Sequence, residues 1–109
     1  MRYILLLTVL LASNAFAAPD FDETMAAANQ GDAYAQFNLA LMFNSGIGVP
    51  ENYVEAVKWY RKAADQGLDN AQFNLGLLYK FGNGVSENDA EAVKWFRKAA
   101  DQGLAEAQV

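Results

Sequence analysis

Ser45 and Ser86, both in the connecting loops, are the hydroxyls best placed to act as nucleophiles. A serine needs a neighbouring base to remove its proton, and neither has a Lys three residues on. The chain contains no His and no Cys. It therefore lacks the usual general base, the commonest metal ligand, a thiolate nucleophile and any zinc–thiolate site. Acid–base chemistry would have to come from paired carboxylates. The acidic residues, however, are read as sitting mainly at caps and helix starts, where helix stability accounts for them. A hydrolase acting on a β-lactam or a cell-wall peptide is thus the weaker alternative to a binding protein. No catalytic, cofactor-binding or metal-ligating residue is assigned.

Two further patterns resemble ligand sites and have plainer explanations. Gly46-Ile47-Gly48-Val49 and Gly82-Asn83-Gly84-Val85 carry a Gly-x-Gly step. A phosphate cradle needs a preceding strand and a third Gly at nucleotide-binding spacing, and neither is present. These stretches are read as connecting loops, with Val49 and Val85 plugging the gap between paired helices. Lys58, Arg61 and Lys62 form a basic cluster, copied 36 residues later. Their place toward the C-terminal half of a helix complements the helix dipole, so a solvated face is favoured over an anion site.

The elements that hold these residues are set by an internal repeat. Glu55 to Gly67 returns as Glu91 to Gly103 with Tyr60 replaced by Phe96, an offset of 36 residues. A period in the range of roughly 20–50 residues marks a repeat architecture. Within each unit, Ala35, Leu39, Met42 and Phe43 form one stripe at three- and four-residue spacing, which predicts a helix over 32–45 that Gly46 stops. Ala40 becomes Gly76 one period on, a small residue that lets a neighbouring helix come close. Asn52 and Asn88 open the second helix of each unit, each with a Glu three residues later, a variant of the capping box. Ala56, Trp59, Tyr60 and Ala63, and their copies Ala92, Trp95, Phe96 and Ala99, form the buried stripe, with the tryptophans as wedges between helices. Glu23 stands where Trp59 would be, which suits a capping helix over 18–31 with one face in water.

Composition sets the remaining bounds. The chain is 53% hydrophobic with a net charge of −5, so it is a folded acidic protein. An acidic balance argues against nucleic acid as a partner and leaves no polybasic patch for a membrane surface. Met1-Arg2, the apolar run Tyr3 to Leu11 and Ala15-Phe16-Ala17 fit a secretory signal peptide over 1–17. The run is too short to span a bilayer, which takes about 20 residues. The expected location is therefore periplasmic or secreted, with no membrane span after cleavage. Residues 104–109 match the start of a further unit, so either the chain is a fragment of a longer repeat protein or its C-terminal end offers a surface for a partner or for self-association.

Ala35 to Phe43, the Gly46-x-Gly48-Val49 loop and Glu55 to Gly67 resemble the Sel1-like repeat, as does the copy from Ala71 to Gly103. The resemblance implies an all-α, α/α superhelical solenoid of antiparallel helix pairs, similar to tetratricopeptide repeats, with repeats at 32–67 and 68–103. It implies an adaptor or scaffold that binds a protein or peptide and needs no cofactor. Bacterial members are often exported. Some cysteine-rich members are described as β-lactam-binding or β-lactamase proteins, and this chain has none of their cysteines. In such stacks the first helices line the concave face. That places Tyr34, Phe37, Leu41 and Asn44, with Asn70, Phe73, Leu77 and Lys80 one period on, as the lining of a shallow groove. The alternative for Phe37 and Phe73 is core packing between first helices.

Overall fold

The computed structural model describes residues 20–107, which leaves the expected leader over 1–17 outside it. The described residues form five helices and no strand: α1 (Phe21–Asn29), α2 (Ala33–Ser45), α3 (Tyr53–Asp65), α4 (Asp69–Phe81) and α5 (Asp89–Ala107). Each packs against its neighbours in sequence, which gives the run of helical hairpins of a solenoid. Ser45 is the last residue of α2 rather than a loop residue, while Ser86 does lie in a loop.

The helix starts follow their caps. Asp20, Asp32 and Asn52 each accept the amide three residues on, at 3.1 Å, and Asn88 does so at 3.0 Å. Only half of the expected capping box forms. The amide of Asn52 donates to the Phe43 carbonyl at 2.8 Å, and that of Asn88 to the Tyr79 carbonyl at 2.9 Å. The cap residue's own N–H is thus taken by the preceding helix, and this bond ties the second helix of each pair to the end of the first. Glu55 and Glu91 turn instead to Lys58 and Lys94, at 4.0 and 3.9 Å. Such exposed pairs contribute little. The first helices end at Gly46 and Gly82, both left-handed with φ of 69° and 67°, a conformation that glycine takes without strain.

The core is built from the predicted stripes. Leu39, Leu75 and Tyr60 are fully buried, and Ala56, Ala63, Ala71 and Ala92 let the helices approach. Trp59 and Trp95 occupy equivalent surroundings and are each 4% exposed. Ala40 is buried as expected, and Gly76 faces the ring of Phe96, where a Cβ would come within 2.7 Å. Phe43 meets Phe21 edge-on at 5.9 Å, which holds α1 on α2. Glu23 is exposed.

A second system, not foreseen from sequence, joins one pair to the next. Gln36 and Gln72 are buried, and their side-chain amides donate to the carbonyls of Ala28 and Ala64, each at 3.2 Å. Their own side-chain oxygens accept from Gln66 at 2.9 Å and Gln102 at 2.8 Å. A buried polar group needs such partners. Here they recur once per period and lock the end of each second helix to the first helix that follows.

The last helix departs from the repeat. Ala63 to Leu68 and Ala99 to Leu104 are identical in sequence. The first ends α3 and turns through Gly67 at φ 94°, whereas α5 runs on through Gly103 to Ala107. The turn at Gly67 is followed by α4, which buries Ala71, Leu75 and Leu78 as it packs back.

Candidate functional site

An open cleft of about 250 Å³ lies between the two first helices. Leu41 and Asn44 of α2 form one wall, and Asn74, Leu77, Leu78 and Phe81 of α4 form the other. Tyr53 and Tyr60 of α3 close the floor, and Asn83 sits at the end. The position follows from the solenoid. Helices α2 and α4 both pack on α3 rather than broadly on each other, so a furrow remains over the α3 face between them.

The floor is polar at one point. Asn74 donates its side-chain amide to the Tyr60 hydroxyl at 3.3 Å. Burial pushes this hydroxyl up to about 12, and the hydrogen bond from Asn74 acts in the opposite direction. An unfolded tyrosine ionises near ~10. The folded state therefore holds the proton more tightly, and the associated stability is complete below pH ~10 and lost as pH rises through ~12. Denaturation midpoints are expected to fall across that window in the native chain and to fall less in Tyr60→Phe. Equal slopes for the two proteins would exclude Tyr60 as the source.

Of the eight residues expected to line a groove, the structure brings three together: Leu41, Asn44 and Leu77. Phe37 is half-buried against the Tyr60 ring at 5.9 Å, and Phe73 lies over the Phe96 ring at 5.4 Å while remaining 50% exposed. Both phenylalanines brace their own hairpin and stand outside the cleft. Tyr34 and Asn70, in the first turns of their helices, are exposed. Lys80 lies on the α5 side of α4, beside Asp89 and Val93. The furrow crosses only the C-terminal half of that stripe. Sequence reasoning missed Tyr53, Asn74, Phe81 and Asn83 and assigned Tyr60 wholly to the core. One signal was present: Tyr60 keeps a hydroxyl where its copy Phe96 has none.

The basic cluster has its own explanation. Lys58 and Lys62 lie over the Trp59 ring at 5.3 and 5.8 Å, and Lys94 and Lys98 lie over the Trp95 ring at 5.6 and 4.7 Å. Arg61 covers the Tyr79 ring and donates to its hydroxyl. These cations shield aromatic faces that would otherwise meet water. Among the described residues, no group of three or more acidic side chains could hold a metal ion, and no helix is long and apolar enough to cross a membrane.

The family model for the Sel1 repeat matches residues 33–68 and 69–104. The chain belongs to the Sel1 repeat family. Solved Sel1 repeat structures share its course. A protective antigen present in uropathogenic Escherichia coli strains, displaying an SLR fold, is 52% identical with a TM-score of 0.74 over 75% of this chain and 18% of its own. A Sel1 repeat protein from Oxalobacter formigenes is 51% identical with a TM-score of 0.66, over 67% of this chain and 30% of its own. The cysteine-rich protein B of Helicobacter pylori is 26% identical with a TM-score of 0.72, over 76% of this chain and 62% of its own. This Sel1 repeat chain thus spans less than two thirds of each of these relatives. A comparison with curated proteins found no match. Sel1 repeat proteins are generally protein-interaction modules and non-enzymatic scaffolds.

Proposed function

We propose that this protein is an exported interaction module that seats an extended peptide or a helix of a partner protein in the cleft between α2 and α4. The observation that carries the reading is the pairing of Leu41 and Leu77 across a furrow floored by Tyr53 and Tyr60. Apolar walls supply the burial that drives association. Asn44, Asn74 and Asn83 offer amides that can pair with a peptide backbone and fix its register. Aromatic floors of this kind concentrate binding energy in a few contacts.

Leu41 and Leu77 are half-buried, so serine fits at both without opening the core. A Leu41→Ser/Leu77→Ser double variant is expected to keep its helical circular-dichroism signal and to lose the partner that the native chain retains from a periplasmic extract. Undiminished capture by the variant would place binding elsewhere. Export rests on the apolar leader ending at Ala17. Recovered protein should begin at Ala18 on N-terminal sequencing, and a retained Met1 refutes it.

A further inference from the structure

The asparagines of this chain differ in what holds them. Asn29, Asn38, Asn44, Asn70 and Asn74 lie within helices, where the backbone fixes each side chain relative to the next amide. Asn52 and Asn88 stand just before helices, and their side-chain oxygens are taken by the amides of Glu55 and Glu91, at 3.1 and 3.0 Å. Asn83 has neither restraint. It lies in the loop after α4, half-buried, at the end of the α2–α4 cleft. Its backbone amide donates to the Leu78 carbonyl at 3.0 Å, while among the described residues no hydrogen bond holds its side chain. The next residue is Gly84, and no other asparagine in the sequence is followed by glycine. Among the described residues the Gly84 amide donates to no backbone carbonyl. The copy one period earlier is Ile47-Gly48, so this pair occurs once.

We propose that Asn83 is a site of spontaneous deamidation, which turns the uncharged cleft into an acidic one. The Gly84 nitrogen attacks Cγ of Asn83, and a new Cγ–N bond closes a cyclic imide. The Cγ–Nδ2 bond breaks, and the side-chain nitrogen leaves as ammonia with the proton that Gly84 gave up. Water then opens the ring at either carbonyl, leaving an aspartyl or isoaspartyl residue at position 83. Nothing is oxidised or reduced. Glycine favours the first step, because a Cβ on the following residue would crowd the attacking nitrogen. None of the residues lining the cleft carries a charge, and its polar groups are asparagine amides and tyrosine hydroxyls. A carboxylate at position 83 removes an amide donor and adds a charge that an uncharged peptide would have to strip of water. That consequence rests on the cleft being the binding site, whereas the modification does not.

The full chain is incubated in mildly alkaline buffer, and its peptides are mapped by mass spectrometry. The peptide carrying Asn83 is expected to gain the mass difference between an amide and an acid before any other asparagine peptide does. The rate should rise with pH, because the attacking nitrogen must lose its proton. Asn83→Gln keeps the amide but needs a larger ring, so it should abolish the gain while the helical signal stays unchanged. No gain at Asn83 in the folded chain, or an earlier gain at another asparagine, overturns the site. Asn83→Asp fixes the aspartyl product in place and should reduce partner capture from periplasmic extract about tenfold. Capture equal to the native chain by Asn83→Asp, when Leu41→Ser/Leu77→Ser has lost it, overturns the conversion to an unreceptive cleft. Undiminished capture by both variants overturns the cleft as the binding site, and the peptide map still decides the modification.

Discussion

Trp59→Ala is expected to leave much of the purified chain unfolded at room temperature, with its cooperative thermal transition lost or shifted far down. The indole is 4% exposed and sits where α3 meets its neighbours. Truncating a buried tryptophan costs about 3–5 kcal/mol, against a total of about 5–15 kcal/mol for an ordinary domain. A stack of only two hairpins lies toward the low end, because each helix has few neighbours to share the loss. The indole N–H makes the mechanism separable. Trp59 Nε1 is buried without a hydrogen-bond partner, so the residue contributes by volume and ring contact alone. Trp59→Phe keeps most of that volume, and also a face for Lys58 and Lys62, while removing the orphaned donor. It should therefore cost much less than Trp59→Ala. Comparable losses in the two variants would mean that the N–H carries the stability, and an unchanged melting temperature in Trp59→Ala would remove the residue from the core.

The second large effect lies in a loop. Gly84 has φ 73°, and a Cβ there would stand 2.4 Å from the carbonyl carbon and oxygen of Tyr53 and 2.8 Å from the amide nitrogen of Val54. Backbone atoms at the start of α3 cannot yield as a side chain can. A left-handed conformation costs a non-glycine residue about 1–3 kcal/mol before any overlap. Gly84→Ala should accordingly lower the melting temperature by about 10 °C or more, at about 4–8 °C per kcal/mol for a domain of this size. The matched control is Gly48, which has φ 82° but faces only the terminal methyl of Met42, at 2.7 Å. That methyl can swing aside, so Gly48→Ala should show the backbone cost alone. Equal losses at the two glycines would show that the approach of the second loop to α3 does not constrain the fold.

Much of the architecture could be read because helix formation is local. Asn52 and Asn88 cap where their side chains reach the third amide, Gly46 and Gly82 stop helices where the chain must turn left-handed, and the stripes around Leu39 and Trp59 bury the faces their spacing defines. The cleft was legible only in part. Leu41, Asn44 and Leu77 share a helix face that periodicity reveals. Whether a given turn of that face meets the furrow or the ring of Tyr60 depends on the crossing of α2, α3 and α4, which no single helix encodes. The same limit hid Gln36 and Gln72. A glutamine in a helix looks like a surface residue until the carbonyl it must reach arrives from another hairpin.

The sequence by itself determined that this chain repeats, that its units are capped helix pairs, and that tryptophan and alanine fill their seams, since spacing and residue type act within a few turns. Tertiary structure alone decided what identical residues do in different company. Ala63 to Leu68 turns and Ala99 to Leu104 continues, and Val57 is covered where Val93 is bare. Local preference for either conformation amounts to about 1 kcal/mol per residue. The burial that the returning α4 provides exceeds this by several fold, so the turn at Gly67 is held by packing as well as by residue type.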